Sequence, residues 1–258
     1  MAAFSLPYVG NISIMLEYAL LTLGGLICIM GVIALITSIM LAIKYVRFNK
    51  WENSSGLTGE EVARIILDRN GLSDIKVKVT GSIMFGNSYS HYFKKVRLRR
   101  FTKHKTSLTA MAMGAEKSAL AVLDAEGDPS MRRRIRLVPI ISFGPFAFIP
   151  LILIGVVVDV LFFGATGYIA IGIAAVSILF YLASLILSIS TLTTEKRAQE
   201  RACQLLEADG LATGDEIRAI RELYHLYNVQ YVNDIIISAL ELIYRILELV
   251  LSITGKDD

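Results

Sequence analysis

The chain has 258 residues, 54% of them hydrophobic, and a mean hydropathy of +0.57, which excludes an ordinary soluble domain and points to a membrane protein. Its 26 Lys and Arg against 23 Asp and Glu leave a net charge of only +3, so the distribution of charge along the chain carries more information than the total. The two cysteines, Cys28 in an apolar stretch and Cys203 in a polar one, speak against a disulfide framework or a cysteine-based zinc site.

Residues 14–43 carry one charge, Glu17, and exceed the roughly 20 residues that a membrane span needs. With no basic segment before it and no cleavage signal after it, the stretch reads as a retained anchor. Gly24, Gly25 and Gly31 allow another helix to approach it closely. In "SSGLTGEEVARIILDRNGLSD", Thr58 and Glu61 form a capping-box pattern, and Val62, Ile65 and Ile66 repeat at helical spacing until Asn70-Gly71. "IKVKVT" at 75–80 and "KKVRLRRF" at 94–101 alternate apolar and polar residues, predicting a two-stranded element. Residues 106–125, rich in Ala, Met and Leu, predict one helix containing "AMGAEKSALAV".

Two further apolar runs, 138–163 and 168–190, are joined by GATG at 164–167, a turn that only a helical hairpin accommodates. Pro145 and Pro150 predict a kink in its first arm, and Asp159 falls near the outer membrane boundary. Residues 193–229 read as two helices broken around Asp209-Gly210 and Ala212 to Gly214. The last apolar run, 235–254, places Glu241, Arg245 and Glu248 on one face, so it either spans or lies in the interface.

Residues 44–136 hold 19 Lys and Arg against 9 Asp and Glu, clustered beside the apolar runs as Lys44, Arg47 and Lys50 and as Arg132, Arg133, Arg134 and Arg136. Basic flanks remain cytoplasmic, so the amino terminus is expected outside and both polar regions in the cytoplasm. The basic runs at 94–100 and 132–136 then read as contacts with anionic lipid, not with nucleic acid. The expected fold class is mainly α and integral to the plasma membrane, with three or four transmembrane helices and a small cytoplasmic α+β region. Its segments are an anchor (1–47), a cytoplasmic region (48–136), a transmembrane hairpin (137–191), cytoplasmic helices (192–232) and a terminal spanning or interfacial helix (233–258).

Several blocks resemble one family in order and spacing. "SGLTGEEVARIILDRNGLSDIKV", "SHYFKKVRLR", "LVP" at 137–139 and "STLTTEKRAQERACQLLEADGL" are similar to corresponding blocks of the YugP-type neutral zinc metallopeptidases, integral membrane proteins of bacteria. The family's H-E-x-x-H motif presents two histidines from one helical face to Zn, with the glutamate as general base. The resemblance aligns Glu116 with the first histidine, Lys117 with the catalytic glutamate, Leu120 with the second histidine and Glu195 with the third ligand. It likewise aligns His91 with a family histidine, here read as a surface or strand residue.

A leucine and an ammonium cannot coordinate zinc, and none of His91, His104 and His225 pairs with another at one-turn spacing. The expectation is therefore a chain that is not an enzyme. It would be a degenerate family member without metal or cofactor, acting as scaffold or regulatory subunit in a homo-oligomer or beside an active paralogue or other membrane protein. The alternative is an active membrane zinc metallopeptidase with an unrecognised or shared metal site. Lys117, with or without Lys196, is expected to neutralise Glu116 and Glu195, because semi-buried carboxylates need a partner.

Overall fold

A computed structural model describes residues 7–80, 86–137, 154, 157–158, 160–162 and 168–254. The first arm of the predicted hairpin lies mostly outside these residues, as do Pro145, Pro150 and Asp159. The chain divides into two compact units. One holds Met1–Leu35, Val138–Ser188 and Asn233–Asp258, and the other Ile36–Leu137 and Ile189–Val232.

The first unit contains most of the apolar portions of three long helices, up to Leu35 in the first of them: α1 (Pro7–Phe48), α6 (Tyr168–Ala208) and α7 (Gly214–Thr254). Among the described residues two helices are long and apolar enough to cross a membrane, over Ile14–Phe48 and Ile178–Ala208. The apolar run in α6 ends at Ser190, and its polar continuation belongs to the second unit. The segment boundary drawn at 191 falls inside α6, which runs on without interruption because nothing between 190 and 208 stops a helix: there is no glycine or proline. The terminal run likewise continues α7 without interruption. There Arg245 pairs with Glu248 at 2.9 Å, both side chains half exposed.

The second unit is built around α4 (Leu108–Ala125), in which every residue from Leu108 to Leu123 is buried. Small residues at Ala110, Ala112, Gly114, Ala115, Ala119 and Ala121 let neighbours close in on all sides, the pattern of a helix inside a core. Ser107 caps α4 by accepting from the Ala110 N–H at 3.2 Å. Packed on it is α2 (Gly59–Arg69), and the two backbones meet where Gly59 faces Gly114.

The capping box predicted for α2 is present. Thr58 Oγ1 accepts from the Glu61 N–H, and Glu61 Oε2 accepts from the Thr58 N–H at 2.8 Å. Thr58→Ala is expected to destabilise the unit by about 1 kcal/mol, read as faster amide exchange in the first turn of α2 and a lower Tm.

The sheet has three strands, not two, in the order β1 (Lys76–Val79), β3 (Lys95–Leu98), β2 (Ser88–Ser90), with β1 parallel and β2 antiparallel to β3. Its inner face, with Tyr89, Val77, Val96 and Leu98, packs with Ala63, Leu67 and Ala121. A short helix, α3 (Arg100–His104), follows β3. After α4, Asp128 Oδ1 accepts the N–H of Ser130 at 2.7 Å, and Pro129 fits the first position of α5, described over 129–137.

Loop ends are tied by carboxylate and amide side chains. Asn53 donates to the carbonyls of Leu57 and Thr106 at 2.8 and 2.6 Å. Glu216, near the start of α7, accepts from Ser54 through its N–H and its hydroxyl, both at 2.6 Å, and from the Thr213 N–H at 2.7 Å. Burial alone would push the Glu216 carboxyl up, but these donors hold it below the usual carboxylate range.

Candidate active site

Glu116 and Lys117 sit in the middle of α4, where a buried helix leaves them no route to water, at 4% and 8% exposure. Leu120, one turn on from Glu116, is fully buried in the main core cluster. From α6, Glu195 and Gln199 project four residues apart, hence from one helical face, and both are buried. From α5 comes Arg134.

These groups close into one network. The Lys117 ammonium lies 2.9 Å from Glu195 Oε2 and 3.2 Å from Glu116 Oε2. Arg134 Nη1 donates to Glu195 Oε1 at 2.7 Å. Gln199 donates to Glu116 Oε1 at 3.0 Å and accepts from Asn228 Nδ2 at 2.7 Å. Nearby, the Tyr224 hydroxyl donates to the Ala112 carbonyl at 2.6 Å. Two carboxylates and two cations give a net charge of zero, which is how buried ions are held without water.

The electrostatics follow the geometry. Burial pushes the Glu195 carboxyl up, but Lys117 and Arg134 overcome it and hold the group at about 2. Burial and the nearby Glu195 raise Glu116 above the usual range against the opposing pull of Lys117 and Gln199. Burial works to lower Lys117, yet Glu116 and Glu195 raise it above an ordinary amine. The ammonium therefore stays protonated and has no lone pair to offer.

The structure thus brings Glu116, Lys117 and Glu195 together, with Leu120 beside Glu116 on the same helix. Lys117 bridges both carboxylates as expected, whereas Lys196 is exposed and the second cation is Arg134. Sequence reasoning missed Arg134 inside its arginine run, and it missed Gln199, whose four-residue spacing from Glu195 was the available signal. His91 is exposed in the turn after β2, its Nδ1 2.6 Å from Asp124 Oδ2. The Tyr89 hydroxyl donates to the same oxygen at 2.7 Å. The pair fastens the sheet to the end of α4. His104 and His225 are exposed.

A family model described as "Putative neutral zinc metallopeptidase" matches residues 24–250. The chain belongs to this neutral zinc metallopeptidase family. It is also 26% identical over 213 residues to the "Putative membrane protease YugP" of Bacillus subtilis (strain 168), covering 82% of this chain and 88% of that protein. No solved structure matches it.

Membership in the metallopeptidase family corrects one expectation. The expectation that the chain is not an enzyme is overturned by the family and the named relative, both described as proteolytic. The physical reason is its narrow base: a turn of α4 without imidazoles describes that turn's ligands, not the chemistry of the remaining chain. The zinc that the family implies does not fit this turn. Glu116 and Glu195 are each occupied by cations or amide donors, Leu120 has no donor atom, and Lys117 brings a positive charge. Among the described residues no group of three or more His, Cys, Asp or Glu could hold a metal ion.

Proposed function

We propose that this chain acts in proteolysis at the plasma membrane, as a metallopeptidase whose metal is held by residues other than those of the 116–120 turn and is shared with a second chain. The observation that carries this reading is the family match over residues 24–250. It is supported by the relative of similar length that is named a membrane protease, and by the composition of the quartet of Glu116, Lys117, Glu195 and Arg134, which offers zinc no open ligand set. In this reading the chain crosses the membrane three or four times with its amino terminus outside. The excess of Lys and Arg in residues 44–136 supports that orientation.

The test is metal analysis and a cleavage assay on the assembly purified from membranes with its natural partners. Cleavage of an unstructured polypeptide should be lost on chelation and restored by zinc, and Leu120→Ala should leave the bound zinc unchanged. A pure assembly that carries no zinc and cleaves nothing would overturn the proposal.

A further inference from the structure

The outer face of the sheet carries a feature that neither the core nor the buried quartet uses. Strand register sets Lys76 beside Lys95 and Lys78 beside Arg97, with Ser90 and Ser88 completing the two rows. All four cations therefore emerge from the face opposite Val77, Val96 and Leu98. Neighbouring strands lie roughly 4.8 Å apart, and like charges directly opposite one another destabilise a sheet.

Among the described residues no carboxylate lies within salt-bridge distance of any of the four. The nearby acid Asp74 pairs instead with Lys94 at 2.9 Å. Phe93, 61% exposed in the turn between β2 and β3, is flanked by Lys95 and Arg97, whose charged groups lie 5.5 and 5.7 Å from its ring centroid. Phe101 in α3, 72% exposed, has Lys105 at 5.9 Å from its ring. Closely spaced cations without a paired carboxylate, beside the exposed Phe93 ring, form a surface complementary to an anionic, partly apolar partner.

We propose that this face docks on the anionic phospholipid of the bilayer that holds the chain, its four cations on headgroup phosphates and Phe93 seated at the acyl boundary. Lipid is favoured over nucleic acid because the same chain carries helices apolar enough to cross a membrane, which keep a bilayer at high effective concentration. Juxtamembrane cations are attracted to anionic leaflets, and rings at such a boundary bury their apolar area. The inference is independent of the peptidase reading, since it uses none of the residues of the buried quartet.

The experiment uses the full chain in nanodiscs of phosphatidylcholine, with and without phosphatidylglycerol. Trp51 is the single tryptophan, so Trp51→Phe with Phe93→Trp creates one reporter at the exposed turn. Its emission should shift to the blue and be quenched several-fold more strongly by brominated acyl chains in the phosphatidylglycerol discs. Added salt should reverse the difference, and the combined K76Q, K78Q, K95Q and R97Q substitutions should abolish it. In the unsubstituted chain, amine labelling of Lys76, Lys78 and Lys95 read by mass spectrometry should slow in the anionic discs. Equal quenching and equal labelling in the two lipids would overturn the proposal, as would a response to an RNA oligonucleotide with none to phosphatidylglycerol.

Discussion

Lys117→Met should destabilise the second unit by about 3–5 kcal/mol, the scale for removing one partner of a buried ion pair. Methionine fills much the same volume, so the loss is electrostatic: Glu195, at 3% exposure, would keep only Arg134, and Glu116, at 4%, would keep only the Gln199 amide and no cation. Thermal unfolding in detergent, followed by circular dichroism, measures the loss. Adding Glu116→Gln to Lys117→Met should recover part of it, because the neutral amide no longer requires a cation. A single substitution that leaves Tm within a degree or so would show that the quartet is not held as described.

The same network sets the response to acid. Glu195, held at about 2, contributes stability that is fully present above the ordinary carboxylate range and is lost as the pH falls toward 2. Glu116 is shifted the other way, so its contribution grows as it gains a proton and is lost as the pH rises through its raised folded value. The parent chain should weaken in strong acid. Lys117→Met should instead gain relative stability on mild acidification, since protonated carboxyls no longer need the missing ammonium. Unfolding curves taken across the acid range distinguish the two slopes.

Gly114→Ala should have an effect of similar size for a steric reason. A Cβ at residue 114 would stand 2.4 Å from the Gly59 carbonyl oxygen, and one at residue 59 would stand 2.2 Å from the Thr102 carbonyl oxygen. Backbone atoms, not flexible side chains, block both positions, so α2 would have to move away from α4 for a Cβ at 114 and from both α3 and α4 for one at 59. Overpacking of this kind costs about 3 kcal/mol, and both variants should lose most of their folded yield. Gly214→Ala is the control, since nothing lies within 4 Å of its Cβ position. Equal Tm values for Gly114→Ala and Gly214→Ala would refute the close approach.

What the sequence discloses about this chain depends on the range of the interaction. Thr58 and Glu61 act within one helical turn, so the start of α2 is legible from a few residues, whereas composition alone places α4 at 106–125 and its Ser107 cap is seen in the structure. Strand β2 is three residues long, Ser-Tyr-Ser, with only Tyr89 facing inward, too short to show a period. The continuity of α6 and α7 was hidden by a change of composition, which marks a change of surroundings and not of backbone geometry. Lys117 and Glu195 were found as partners because the family resemblance aligned two positions 78 residues apart. Arg134 looked like its neighbours 132, 133 and 136, and only the packing of α5 singles it out.

Because the second unit joins residues 36–137 to residues 189–232, its assembly has a waiting time built in. At roughly 5–20 residues per second of synthesis, Glu195 follows Lys117 from the ribosome by about 4–16 s. Throughout that interval α4 exists without the α6 segment that supplies the second carboxylate to its lysine, and the intervening apolar residues must be delivered first. A nascent chain halted near residue 137 should therefore be a protease-sensitive, chaperone-dependent species, and synthesis through residue 232 should be the step that makes it resistant.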